Sequence, residues 1–118
     1  MFLDWKDVDT EDVLLTLISC KEHLENQSVW IDYGLAFNKF ELPVPSNSKD
    51  AVKFSLMGSI EKSAQTLWDK PKSNYVDCAT REYLMNLSDS LIWKSTFSYD
   101  YELKLIEDAI ESLTNEVG

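Results

Sequence analysis

Among the side chains that can do chemistry, this chain offers 21 carboxylates, two thiols and one imidazole. Their spacing argues against most catalytic arrangements. His23 falls opposite the apolar face of the helix expected to carry it, so solvent should surround it and no Ser-His-Asp or Cys-His site forms around it. Cys20 and Cys78 are isolated, without the CxxC spacing of zinc or redox sites, and are expected as reduced thiols. Asp4, Asp7, Asp9 and Glu11 are a candidate run of cation oxygens, but they lack the glycine that a calcium loop needs at its sharp turn. Gly34, Gly58 and Gly118 stand apart, so no phosphate-cradling loop is present. A glycosidase-like carboxylate pair needs two acids facing one cleft, and nothing here selects a pair. The expectation is therefore no metal, no cofactor and no enzyme.

What the carboxylates can do together is electrostatic. Residues 1–12 hold five acids against Lys6, and residues 95–118 hold six against Lys104, so the two ends carry almost all of the net charge of −10. A concentrated acidic surface repels phosphate backbones and anionic membranes and attracts basic proteins. In the last helix Asp100, Glu107 and Glu111 fall within about 40° of one another on a helical wheel, and Asp108 broadens the row. A solvated helix face is the plain account of such a row. The functional account is a docking edge for another protein with a basic surface, the carboxylates standing where nucleic-acid phosphates would. Direct nucleic-acid binding is not expected, because the basic residues are scattered.

These side chains must be positioned by helices. Val13, Leu14, Leu17, Ile18 and Leu24 repeat at helical spacing after Thr10, which predicts a helix over about 11–26 with Thr10 as its cap. Residues 29–42 mix β-branched and aromatic residues around Gly34, which predicts short strands or a hairpin, followed by a proline loop. Ser48 would cap a second helix over 49–68, with Val52, Leu56, Ile60 and Leu67 on its apolar side and Phe54 off it. Gly58 inside that helix costs about 1 kcal/mol against Ala, which predicts the close approach of another backbone. A third helix is expected over 75–91, then a connection over Trp93–Phe97, then a last helix capped by Ser98 or Asp100. Gly and Pro number three each, too few for the many tight turns of an all-β chain. The fold class is mainly α, a compact bundle of four helices with a short irregular or β-hairpin insertion after the first, in a single domain over residues 1–118. The first residues do not read as a signal peptide, and no apolar run approaches a membrane span, so a cytoplasmic location away from membranes is expected.

Trp30-Ile-Asp-Tyr-Gly34-Leu-Ala36 and Asp50-Ala-Val-Lys-Phe-Ser-Leu-Met-Gly58-Ser-Ile60, with Trp93-Lys-Ser95, Ser98 and Ala109-Ile110 later on, occur in the order of a known pattern. They resemble a family of small uncharacterised proteins of bacteria and their phages, a domain of unknown function. The family's helix Cys is Ser55 here, its small residue after the first Gly is Leu35, and its Asn-Asp after the late Trp is Lys94-Ser95. The resemblance implies no established activity; it implies that Trp30, Gly34, Ala51 and Gly58 belong together. Packing is the plain account of that group, with Gly34 supplying a turn and the Trp30 ring filling space beside Gly58. The leading expectation is a non-enzymatic acidic protein-binding module, phage-encoded and directed at a host protein's nucleic-acid-binding surface, in the host cytoplasm. The alternative is a small-ligand or sensor protein with a pocket around Trp30, Tyr33, Phe54 and Gly58. Phe97, Tyr99 and Tyr101 lie outside the stripes and would suit a dimer face, but the sequence does not choose between monomer and homodimer.

Overall fold

The first helix, α1 (Thr10–Leu24), starts one residue earlier than Thr10 could cap it. Asp9 is the N-cap: its carboxylate accepts from the Asp12 backbone N–H at 3.0 Å, and the Asp12 carboxylate accepts from the Asp9 N–H at 3.2 Å. This reciprocal box satisfies two otherwise orphaned donors, which a lone Thr hydroxyl at position 10 would not do. The helix stops short of Asn26, whose side chain instead caps a single 3₁₀ turn over Gln27–Val29. The computed structural model describes residues 8–88 and 98–117; the expected connection at Trp93–Phe97 and the acids Asp4 and Asp7 lie outside them.

Two short antiparallel strands follow, β1 (Ala36–Phe37) and β2 (Lys53–Phe54), with Ala36 opposite Phe54 and Phe37 opposite Lys53. The hairpin expectation therefore holds for its first strand, but its partner comes from the stretch expected as the start of the second helix. That helix, α2 (Leu56–Leu67), is capped by Ser55 and not by Ser48. The reason is competition for backbone groups. Val52 N–H donates to the Phe37 carbonyl at 2.8 Å and Ile31 N–H to the Phe54 carbonyl at 3.0 Å, so this stretch is extended between two neighbours. Val52 accordingly leaves the apolar stripe for solvent, whereas Phe54 is buried. Ser48 makes only a local turn, its hydroxyl accepting from Asp50 N–H.

The last two helices are α3 (Lys72–Ser88) and α4 (Tyr99–Val117), the latter capped by Ser98 as expected, its hydroxyl accepting from Tyr101 N–H at 3.1 Å. Among the described residues the fold is thus mainly helical, four α-helices with a small hairpin after the first. Helix α1 is central and packs against the other three. Val13, Leu17 and Leu24 of α1, Leu56 and Ile60 of α2, Leu84 of α3 and Ile106 and Leu113 of α4 form one core from which water is removed.

Candidate functional site

The contacts between α1 and α4 fix their direction. Tyr99, at the start of α4, directs its hydroxyl at the Leu24 and Glu25 carbonyls at the end of α1 (2.5 and 2.8 Å), and Lys21 meets Glu107 at 3.6 Å. The two helices are therefore antiparallel. At 1.5 Å per residue Glu11 lies roughly 20 Å from the end of α1, and Glu111 lies roughly 18 Å from the start of α4. The first turn of α1 and the second half of α4 are level with one another. Asp9 and Glu11, at the start of α1, thus share one end of the described fold with Asp108, Glu111 and Glu116 of α4, and all five are exposed.

Asp100, Glu107, Asp108 and Glu111 are exposed along α4 as the wheel implies. Asp108 and Glu111 line one open depression of about 380 Å³ with Ser112 and Asn115. Two of the four carboxylates have a cation: Lys21 for Glu107, and Lys104 for Asp108 at 3.5 Å. Asp100 and Glu111 have no ion pair among the described residues, so the edge keeps net negative charge.

Glu102, on the same helix, behaves quite differently and was missed in the sequence. Its side chain is buried, and its Oε1 accepts from the Trp30 indole N–H at 2.8 Å. The Trp30 ring meets Tyr99 edge-on at 5.7 Å. Burial pushes the Glu102 carboxyl up to about 7; the indole hydrogen bond opposes that, and the charge of Asp32 adds to it. Beyond it in the core, burial pushes the Cys20 thiol up to about 12, so this sulfur is inert at neutral pH.

The residues of the second expected group make the following contacts. Trp30 is engaged by α4, Tyr33 is largely exposed with its ring 5.0 Å from Phe37, and Phe54 lies 5.7 Å from the His23 ring. Trp30 and Phe54 are joined by a backbone bridge. Gly58 packs under the Leu35 carbonyl, so the close backbone approach expected there is real. Gly34 has φ +67° and is tied to α2 by Ser55, whose hydroxyl donates to the Gly34 carbonyl at 2.7 Å and accepts from Gly58 N–H at 3.1 Å. Ala51 is outside this group, in the turn closed by Ser48. His23, expected in solvent, is half-buried against Phe54, and burial together with Lys62 lowers its pKa against the pull of Glu22.

No group of three or more His, Cys, Asp or Glu among the described residues is arranged to hold a metal ion. No described helix is long and apolar enough to cross a membrane. Compared with models of protein families, with curated proteins and with solved structures, the chain matches none.

Proposed function

We propose that the protein is a non-enzymatic binding module whose acidic end engages a partner protein with a basic surface. The observation that carries this reading is the antiparallel packing of α1 on α4, which sets Asp9 and Glu11 of α1 at the same end as Asp108, Glu111 and Glu116 of α4. A merged field extends further and steers a basic partner more strongly than either cluster alone. The depression between Asp108 and Glu111 gives an arginine or lysine side chain a place to enter. Asp100 and Glu107 continue the edge, their carboxylates spaced along the helix as ligands for a basic groove. With the resemblance to a family of bacteria and their phages, the reading extends to an inhibitor that occupies a nucleic-acid-binding groove in the host's cytoplasm.

The test is capture from host lysate by the immobilised chain, and by an Asp108→Lys, Glu111→Lys variant, at low and high salt. Both sites are exposed, so helicity by circular dichroism should be unchanged. The expected outcome is a partner released by salt and bound about tenfold more weakly by the variant. A partner held equally by both proteins, at both salt concentrations, rules the acidic end out as its docking surface.

A further inference from the structure

The acidic end leaves unexplained the opposite character of the hairpin insertion. Phe40 and Leu42 are 70% and 58% exposed, and Val52 is 45% exposed. They do not sit on a slack loop. The Asn38 carboxamide accepts from both Phe40 N–H and Leu42 N–H (2.9 and 3.1 Å), Asn38 N–H donates to the Leu42 carbonyl at 3.0 Å, and Lys53 reaches Glu41 at 3.9 Å. Glu41 takes φ +64° to close the turn, a conformation that a non-glycine residue adopts only at a cost. The chain therefore spends backbone strain and hydrogen bonds to hold two large apolar side chains out in water. Beside the tip, Phe40 and Val52 wall a depression of about 350 Å³ together with Asn38, Lys39, Lys49 and Asp50.

We propose that this face binds a second copy of the chain about a two-fold axis, the Phe40 ring of each copy entering the other's depression between Phe40 and Val52. Charge selects the occupant. Two molecules of net charge −10 repel one another over most of their surface, and they can meet only through a face that is not acidic. Residues 38–53 hold three lysines against two acids, and the signs alternate, Lys39, Glu41, Lys49, Asp50, Lys53. A face that carries both signs lets a lysine of one copy meet an acid of the other about a two-fold axis, as an isologous contact allows. Knob and cup are neighbours on one surface, so a single rotation fills both cups at once. The depression is at the small end of ligand-site volumes, suited to one aromatic side chain. Lys39 already sits 5.2 Å from the centre of its own Phe40 ring, so the ring offers its other face and edge to the second copy.

Sedimentation of the purified chain over a concentration series, up to about 100 μM, tests this. The expected result is a monomer–dimer equilibrium that Phe40→Ser weakens at least about tenfold, with an unchanged melting temperature at concentrations low enough for both proteins to be monomeric. Lys39→Glu with Lys49→Glu keeps every apolar group but turns the face acidic, and should abolish the dimer at low salt and restore it in part at high salt. Salt should strengthen the wild-type dimer by screening the repulsion between copies, the opposite of its effect on binding to a basic partner, so the two proposals fail separately. A chain that is monomeric throughout overturns the inference, as does a dimer indifferent to Phe40→Ser. Binding of a monomer to phosphatidylserine vesicles through Phe40 would also overturn it, by giving the face to a membrane.

Discussion

At the scale of single residues, Glu102 shows how much one position on a wheel decides. Its neighbours Asp100 and Glu107 are solvated, yet Glu102 lies about 20° from both Ala109 and Leu113, inside the apolar stripe of α4. The sequence therefore contained the signal; counting acids by segment hid it. What the sequence could not supply is the partner, because Trp30 is 72 residues away. The consequence is a pH dependence of stability with a definite sign. The folded carboxyl titrates at about 7 and the unfolded one near 4.5, so the folded state holds this proton more tightly. Its contribution is fully present below the unfolded value, declines as pH rises towards 7, and is lost above that. Glu102→Gln keeps a carbonyl oxygen for the Trp30 N–H and removes the titration. The variant should be more stable than wild type by about 2–3 kcal/mol at pH 8, with the gap closing towards pH 4.5. Urea unfolding across that range measures it, and a gap that does not change with pH would show that Glu102 is not the titrating group.

At the scale of elements, the second helix was legible in its body and not at its start. Leu56 and Ile60 are core residues at helical spacing, and Val52 continues the same spacing by coincidence. Two serines could each cap a helix here. The choice between Ser48 and Ser55 is made by Ala36 and Phe37, whose backbone claims residues 52–55 for the hairpin, and no local pattern contains that pairing. Gly58 was the exception, since a glycine inside a helix already demanded a close neighbour. Alanine there would ordinarily stabilise an exposed helix by about 1 kcal/mol. In this protein the added Cβ would sit 1.8 Å from the Leu35 carbonyl oxygen, a backbone atom that moves only if the hairpin moves. Gly58→Ala should therefore cost about 2–3 kcal/mol, the penalty of overpacking, in denaturant unfolding. A gain in stability would mean that the hairpin floats free of α2.

At the scale of the whole molecule, the terminal charge clusters were plain in the sequence, but it did not show that Asp9 and Glu11 share an end with Asp108, Glu111 and Glu116, because only the packing of α1 on α4 brings that about. Their proximity puts local attraction and global repulsion in competition, and magnitudes settle which wins. The ion pairs Lys21–Glu107, Lys53–Glu41 and Lys104–Asp108 are 3.5–3.9 Å long with largely exposed side chains. Each is worth about 0–1 kcal/mol, and salt weakens all three. Lys72–Asp12 at 3.2 Å and Arg81–Asp77 at 2.7 Å are shorter and less exposed on the acid side, so salt reaches them less. Against these stands the repulsion among carboxylates of a chain of net charge −10 folded to a radius of gyration of 13.6 Å. At about 0.02 M salt the screening length exceeds that radius, and every acid of the merged end feels the others; at about 0.5 M it shrinks to a few ångströms and the repulsion is gone. Unfolding moves the two clusters apart, so screening favours the folded chain. Raising sodium chloride across that range should increase the melting temperature by about 2–5 °C. A variant with Glu111→Gln and Glu116→Gln, which thins the cluster without touching an ion pair, should begin higher at low salt and gain less. If the melting temperature of the wild type falls instead, the local pairs outweigh the field, and the acidic end would be too weakly charged to steer a partner.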